Sequence, residues 1–327
     1  MKKIFKKIQL LAFAGLLGLA SSCSDFLEAG PSVDTPEENA LSNTAGLQMI
    51  LTSAYNQLYF NAGGTDRVYG GLTGLQMYVD LGGSDIICHT NMGGNQLETY
   101  RFEPKKTQSN GSSQEIWSMM YKIINQVNAV IDNIPEALGP QEDKDAILGQ
   151  AKAIRGICYF HIIQNYQQTY AIAKDKPGAI LRLSAEADQN LPRSTVEETY
   201  AQIIDDLTAS KSLLSGFTRE GEWFINEDVV TGQLARVYLV MNEWEKALTA
   251  ATEVYNKHAQ LMNREQYRGG FDDVITKKYP EVIWAVKFTD QNNLGGGTQF
   301  NFWYNQDASY GEGFTDGPIY AFLDFFA

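Results

Sequence analysis

Residues 229–257, VVTGQLARVYLVMNEWEKALTAATEVYNK, decide the fold of this chain. Small and aromatic residues recur there at helical spacing on both sides of a short break at Met241-Asn242, and we predict that Asn242 caps the second helix. The residues expected at the contact between the two helices are Ala235, Tyr238, Trp244, Ala247, Ala251 and Val254. This spacing is typical of a tetratricopeptide-type hairpin, which buries its apolar face only when further hairpins stack on it.

The composition describes a globular protein with an acidic surface. The chain has 327 residues, of which 44% are hydrophobic and 20% charged, so it can bury one large core or two modest ones. Its formal net charge of -13 repels phosphate backbones, which excludes nucleic acid as a favoured partner. The 17 tyrosines and 16 phenylalanines either fill a core or form flat contact surfaces.

Residues 1–22 have the pattern of a targeting segment. Four lysines among the first seven residues precede an apolar run from Leu10 to Ala20 that is too short to span a bilayer stably. A simple secretory peptide followed by a chance cysteine is one interpretation. We favour a lipoprotein signal in which Cys23 becomes the acylated first residue, although Ala20 stands where such signals more often have leucine. Two or three acyl chains hold a protein on a membrane almost permanently.

Two further cysteines, Cys88 and Cys158, remain after Cys23. An exported protein could join them in a disulfide. Because nothing else in the sequence brings them together, we expect two separate buried residues that behave as small hydrophobic side chains.

The rest of the chain alternates helical segments with other structure. We expect a tether at 23–40, a helical domain at 41–260, and at 261–327 the start of a further segment. Within the helical domain, apolar periodicity predicts helices at about 43–61, 112–135, 142–166 and 194–216. Residues 179–183 form a short extended piece, and residues 281–287 predict a strand.

The helix ends and faces carry further predictions. Ser112 with Glu115, and Ser194 with Glu197, have capping-box spacing, and Gly216 is expected to end its helix. We place Lys152 and Arg155 off the buried side, and the acid pairs 197–198 and 205–206 on a solvated face. The aromatic residues predicted to lie in the core are Trp117, Tyr121, Tyr159, Phe160, Tyr200, Tyr238 and Trp244.

Several segments, in order, resemble the SusD/RagB family of outer-membrane nutrient-uptake lipoproteins. They are Ser22–Leu27, Ala54–Tyr59, Trp117–Asn128, Ala151–Phe160, Leu191–Leu207, Gln233–Ala247 and Glu281–Trp284. The resemblance implies a mainly α, tetratricopeptide-like α-α superhelix with long irregular loops and minor β structure. It also implies glycan binding, no catalytic residues, and a SusC-like TonB-dependent transporter as partner. Family members usually continue well beyond this length, so we expect residues 261–327 to be an incomplete C-terminal segment.

Two glycine-rich, polar and aromatic stretches, 61–111 and 291–317, are the predicted ligand-binding regions, and a helix at about 72–81 is the alternative within the first. Sugars are recognised by flat rings against their C–H faces and by planar polar groups at their hydroxyls. The candidates for these roles are Tyr69, His89, Asn91, Trp303, Tyr304 and Tyr310. For each of them the alternative is a side chain folded onto the scaffold.

Other kinds of site lack their signatures. Neither a His-x-x-x-His nor a Cys-x-x-Cys pattern is present, so we predict no zinc site and no cofactor. Phosphate-binding glycine motifs and a nucleophile elbow are also missing. A calcium site involving Asp80, Asp85 or Asp307 stays open, without a loop signature.

The predicted function is therefore that of a lipid-anchored, surface-exposed glycan-binding protein of the outer membrane that is not an enzyme. Its partners would be an oligosaccharide and a SusC-like transporter. The main alternative is a tetratricopeptide-like interaction scaffold of the envelope that binds no small ligand. A third interpretation is a glycan hydrolase, which would require two carboxylates on either side of one glycosidic bond.

Overall fold

A computed structural model describes residues 40–59, 71–83, 86–88, 100–101, 111–188, 190–268, 279–285 and 320–322. The chain divides into two units, Met1–Ala40 and Leu41–Ala327, and the second contains almost all of these residues.

The described part is mainly helical. Its helices are α1 (Thr44–Tyr59), α2 (Leu72–Leu81), α3 (Gly111–Asn133), α4 (Gln141–Tyr166), α5 (Tyr170–Ala173), α6 (Val196–Leu213), α7 (Glu227–Val240), α8 (Trp244–Lys257) and α9 (Arg264–Arg268). The two described strands, β1 (Ile86–Cys88) and β2 (Tyr320–Phe322), pair antiparallel with Ile86 opposite Phe322. This architecture confirms the predicted mainly α fold with minor β structure. Helix α2 shows that the alternative of a helix at about 72–81 holds for that part of the first glycine-rich stretch.

Helix α4 is the centre of the core. It packs against α3 and α6, α6 packs against α7, α7 packs against α8, and α1 covers α3 and α4. Between Gly149 and Ile163 only Lys152 and His161 are not buried, as expected for a helix surrounded by other helices. A Cβ atom on Gly149 would lie 2.7 Å from Cγ of Leu214. Glycine at this position therefore lets α4 and α6 approach closely.

The turn between α7 and α8 differs from the prediction. Asn242 is not the N-cap of α8, because Glu243 holds that position and makes no side-chain capping bond. Asn242 instead has φ of 63°, the left-handed conformation that asparagine tolerates better than most residues. The amide N–H of Glu243 donates to the carbonyl oxygen of Tyr238 at 2.9 Å and closes this tight turn.

The outer side of α8 also corrects the sequence analysis. Trp244, predicted to be core, is 60% exposed, and Ala251 is exposed as well. The residues of α8 that are buried are Ala247, Ala250 and Val254. Trp244, Leu248 and Tyr255 share a stripe that lies about 100° around the helix from the buried one. We call this stripe the α8 outer face, and all three residues are at least 60% exposed. The hairpin pattern predicted both helices correctly but could not show that α8 has a described neighbour on one side only.

The cap of α6 lies one residue later than predicted. Thr195 and Glu198 form the capping box, in place of Ser194 and Glu197. Ser194 is unavailable for this role because its backbone pairs with the preceding segment, donating to the carbonyl oxygen of Ala179 at 2.8 Å. Helix α3 likewise begins at Gly111, ahead of the predicted cap at Ser112. Gly216 has φ of 78° and ends α6 as predicted.

Residues 281–285 form turns and bends, so the predicted strand is wrong over this range, and 286–287 lie outside the described residues. The backbone of this segment bonds to groups of the 219–224 loop instead of to a strand. The guanidinium of Arg219 donates to the carbonyl oxygen of Ile283 at 2.7 Å, and the N–H of Ala285 donates to the carbonyl oxygen of Glu222 at 3.0 Å.

A buried ion pair joins α4 to α6 and contradicts the placement of both residues on solvated faces. Arg155 is 4% exposed and Asp206 is fully buried. The guanidinium donates through Nη2 and Nε to the two carboxylate oxygens of Asp206 at 2.7 and 2.8 Å. Its Nη1 donates to Oδ1 of Asn128 at 2.9 Å and to the carbonyl oxygen of Leu183 at 3.1 Å. Both charges therefore have hydrogen-bond partners in place of water.

Neutralising Asp206 is expected to destabilise the fold strongly. Asp206→Asn leaves the buried guanidinium of Arg155 without its counter-charge, and breaking such a pair costs about 3–5 kcal/mol. The adjacent Asp205 is exposed, so Asp205→Asn is the matched control and should change the free energy of unfolding by less than about 0.5 kcal/mol. Urea titrations of both variants measure the difference, and equal stabilities would contradict the assigned role of the ion pair.

Candidate functional site

The ligand-binding residues predicted from the sequence lie outside the described residues. They are Tyr69, His89, Asn91, Trp303, Tyr304 and Tyr310, and the proposed acylation site Cys23 lies outside as well. Their roles stay predictions.

The other candidate groups are only partly covered. Asp80 accepts a hydrogen bond from Nε2 of Gln76 at 2.8 Å, whereas Asp85 and Asp307 lie outside the described residues. No group of three or more metal-ligating side chains occurs in the described part of the chain. Cys158 is buried and unpaired, as predicted.

A groove with a volume of about 780 Å³ lies between α1, α3 and the extended segment 178–183. We call it the α3 groove. Its lining combines aromatic, amide and basic side chains, which are Gln57, Trp117, Ser118, Tyr121, Lys122, Asn125, Gln126, Ile180 and Arg182.

Two aromatic rings form one corner of the α3 groove. Trp117 and Tyr121 lie one helical turn apart on α3, and their ring centroids are separated by 4.8 Å. The ring of Tyr166 packs edge-on against Trp117 at 5.0 Å, and its hydroxyl donates to the carbonyl oxygen of Ser113. Both groove rings are half-buried, so the prediction that they are core residues is only partly correct. They pack on the core and also form the aromatic corner of the groove, whereas the extended segment 178–183 forms its wall.

Two tyrosine hydroxyls hold the extended segment in place of a neighbouring strand. The hydroxyl of Tyr121 donates to the carbonyl oxygen of Ile180 at 3.0 Å and accepts from its N–H at 2.9 Å. Tyr159 makes the same pair of bonds to the backbone of Arg182, both at 2.7 Å. Because Ile180 and Arg182 are two residues apart, their backbone groups face the same side, towards the helices.

Further buried side chains complete the attachment of this segment. Nδ2 of Asn128 donates to the carbonyl oxygen of Arg182 at 2.9 Å, and Oγ1 of Thr199 accepts from the N–H of Ala179 at 3.0 Å. Arg155 donates to the carbonyl oxygen of Leu183, as described above. The wall of the α3 groove is therefore bonded to α3, α4 and α6 together.

The hydroxyls that hold this wall stay protonated. Burial raises the pKa of Tyr121 to about 12, partly offset by its backbone bond to Ile180 and by the charges of Arg193 and Arg182. Burial likewise raises the pKa of Tyr159 well above its ordinary value. A protonated hydroxyl both donates and accepts, which is what each of these paired bonds requires.

A second groove of about 610 Å³ lies between α1, the first half of α4 and the loop 217–224. Phe217 and Phe224 supply its rings, and Asp143 and Glu220 supply its charges. The edge of Phe224 packs against Tyr55, with 5.5 Å between the ring centroids. Because its rings are phenylalanines and its lining is acidic, this groove matches the chemistry expected for sugar binding less well than the α3 groove does.

Residues 25–239, about two thirds of the chain, match the SusD-like family model described as "Starch-binding associating with outer membrane". The chain belongs to the SusD-like family. This confirms the resemblance seen in the sequence.

The relatives agree in fold and differ in length. SusD-like protein P25 of Formosa agariphila is 24% identical over 86% of this chain and 52% of its own length. A SusD-like carbohydrate binding protein from Bacteroides vulgatus is 28% identical, with a TM-score of 0.70 over 78% of this chain and 53% of that one. A SusD superfamily protein from Bacteroides thetaiotaomicron is 21% identical and has a TM-score of 0.69, over 86% of this chain and 60% of that one. The chain thus spans between half and three fifths of these relatives.

Among the described residues, none of the helices is both long enough and apolar enough to cross a bilayer.

The α3 groove could not be predicted from the sequence, because its rings follow helical periodicity. Trp117 and Tyr121 have the spacing of core residues, and the periodicity does not show that one side of each ring stays open. Arg182 lies in a segment predicted only to be extended. A usable signal was the set of polar residues Lys122, Asn125 and Gln126, which recur at helical spacing beside the two rings.

Removing the hydroxyl of Tyr121 is expected to loosen the groove wall. Tyr121→Phe leaves the N–H of Ile180 without its partner, which costs about 1–3 kcal/mol, and amide hydrogen exchange at Ile180 should become faster. Tyr255→Phe, at an exposed ring, is the matched control and should change neither quantity.

The same variant tests the raised pKa. The pKa of Tyr121 is about 12 in the folded protein and near 10 in the unfolded chain. The protonated hydroxyl therefore contributes its full stabilisation below pH 10, and this contribution is lost as the pH rises towards 12. Without the hydroxyl, the fall in the free energy of unfolding above pH 10 should be shallower than in the parent protein. An unchanged slope would contradict this assignment.

Proposed function

We propose that the protein captures oligosaccharides at the cell surface and delivers them to a SusC-like TonB-dependent transporter in the outer membrane, without catalysing a reaction itself. Acylation at Cys23 would hold it on the membrane, with residues 1–22 as signal peptide and 23–40 as tether. Membership of a starch-binding, outer-membrane-associated family supports this proposal. The family name describes binding and not catalysis.

The observation that carries the proposal is the aromatic corner of the α3 groove beside planar amides. Trp117 and Tyr121 offer ring surface to the C–H face of a sugar, and Gln57, Asn125 and Gln126 offer donors and acceptors to its hydroxyls. The groove volume of about 780 Å³ falls within the range of small-ligand sites. Tyr69, His89, Asn91, Trp303, Tyr304 and Tyr310 are further proposed glycan-binding residues.

Truncating Trp117 should weaken glycan binding, whereas truncating Trp244 should not. Trp117→Ala removes a ring from the groove, and loss of one aromatic anchor weakens binding by roughly tenfold. Affinity electrophoresis in gels containing a panel of polysaccharides measures the retardation of each variant. Trp244→Ala is the control, because it removes a tryptophan outside the groove. Asn125→Ala is a second test of the groove, at an exposed side chain that does not pack in the core. Retardation by none of the polysaccharides would favour the interaction-scaffold alternative.

The α8 outer face supports a protein partner. In stacked helical repeats the terminal outer surface is normally polar, because an apolar one lowers solubility. Here Trp244, Leu248 and Tyr255 add an exposed apolar stripe to α8. Contact with the transporter would cover it, and the same observation favours the second candidate function, a protein-interaction scaffold without a small ligand.

A charged residue on the α8 outer face should separate transporter contact from glycan capture. Leu248→Glu places a carboxylate in the apolar face, so co-purification with a SusC-like transporter expressed in the same cells should fall. Glycan retardation should stay unchanged. Thr249→Glu, at the adjacent exposed position, is the matched control and should have no effect. Equal recovery of the transporter with both variants would contradict this contact.

A further inference from the structure

The α3 groove has the opposite charge to the protein as a whole. The chain carries a formal net charge of -13, yet the ionisable side chains that line this groove, apart from Tyr121, are Lys122 and Arg182. The second groove has the reverse pattern, because Asp143 and Glu220 line it without a cation. The two grooves therefore favour ligands of different charge.

The two cations of the α3 groove are not neutralised by the described residues. Lys122 is exposed and forms no ion pair with any of them. Arg182 donates through Nη2 to the carbonyl oxygen of Ala187 at 3.0 Å, which is a neutral acceptor. On α3, Glu115 lies about two helical turns from Lys122 and does not line the groove. Asp132 accepts from the hydroxyl of Ser184 at 2.9 Å and from the N–H of Ala185 at 2.8 Å, so it lies beside the segment of Arg182, but it does not line the groove and forms no ion pair with Arg182.

A third cation adds to the positive potential at the groove wall. Arg193 is held near the wall by a bond from its Nε to the carbonyl oxygen of Gly178 at 2.6 Å. Burial is the main influence on the pKa of Tyr121 and raises it, and the charges of Arg193 and Arg182 act in the opposite direction. Both guanidinium groups are thus close enough to act on the hydroxyl at the aromatic corner.

Arg182 is positioned independently of any ligand. Its backbone N–H donates to the hydroxyl of Tyr159, and its carbonyl oxygen accepts from that hydroxyl and from Nδ2 of Asn128. A guanidinium on a fixed backbone offers planar paired donors to a carboxylate or a sulfate with less entropy loss than one on a free loop.

We propose that the α3 groove selects an anionic saccharide, one that carries carboxylate or sulfate groups. Its sugar ring packs against Trp117 and Tyr121, and its anionic group contacts Lys122 and Arg182. This inference rests on the proposed glycan-binding function and names the class of glycan.

Matched polysaccharides that differ only in charge test the proposal. Affinity electrophoresis compares low-ester with highly methyl-esterified pectin, which tests carboxylates, and dextran sulfate with dextran, which tests sulfates. The expected result is stronger retardation by the charged member of at least one pair, and the pair identifies the anionic group. Because the protein is itself acidic, its overall charge repels an anionic polysaccharide, so non-specific electrostatics would act against this result.

Three variants test whether the α3 groove is responsible for any such selectivity. Lys122→Gln combined with Arg182→Gln should weaken binding of the charged polysaccharide by roughly tenfold, since hydrogen bonds to charged groups are the stronger kind. Lys246→Gln, at an exposed lysine on α8, removes one positive charge elsewhere, as Lys122→Gln alone does in the groove, and should leave binding unchanged. Thermal melts of all variants confirm that the fold is retained, and Lys122→Gln alone, at an exposed residue, gives a second measurement.

Each remaining outcome overturns a definite statement. Equal or stronger retardation by the neutral members would refute charge selection while leaving glycan binding intact. If the charged polysaccharide retarded the groove variants as strongly as the parent protein, the assignment of charge selection to Lys122 and Arg182 would be refuted. No retardation by any neutral or charged polysaccharide would refute the proposed function together with this inference.

Discussion

The buried ion pair between Arg155 and Asp206 is the constraint on which the rest of the described structure depends. A guanidinium and a carboxylate removed from water are tolerated only where hydrogen bonds replace their hydration. Asp206 supplies two acceptors, and Asn128 and the carbonyl oxygen of Leu183 supply the others. Since these groups come from α6, α3 and the extended segment, the pair is satisfied only when all of them hold their places around α4.

The wall of the α3 groove follows from that constraint. The first residues of the segment 178–183 pair with the backbone of Ser194, and beyond Ala179 the backbone groups bond to side chains of the helices. If Tyr121, Asn128 or Tyr159 moved, a backbone group of Ile180 or Arg182 would lose its hydrogen-bond partner. The backbone N–H and C=O groups of Ile180 and Arg182 are therefore all hydrogen-bonded, which fixes this part of the segment. A fixed backbone is the condition for a preorganised binding surface.

Most of the helices could be predicted from the sequence, and the errors have one physical cause. Periodicity placed α4 within one residue of its observed limits, because a buried helix leaves a local pattern. The same pattern assigned Arg155 and Asp206 to solvent, since their burial depends on partners about 50 residues apart in the chain. Trp244 was assigned to the core because an aromatic residue at helical spacing does not reveal whether a neighbour covers it. Likewise, Trp117 and Tyr121 do not reveal an open groove.

The two surfaces with unusual chemistry are built from different elements. The α3 groove is formed by α1, α3 and the extended segment 178–183, whereas the α8 outer face belongs to a helix that packs against α7. A ligand in the groove and a protein on α8 would therefore touch different side chains, so neither has to leave for the other to bind. The proposed capture of a glycan and its delivery to a transporter require such an arrangement, because both partners must be held at the same time.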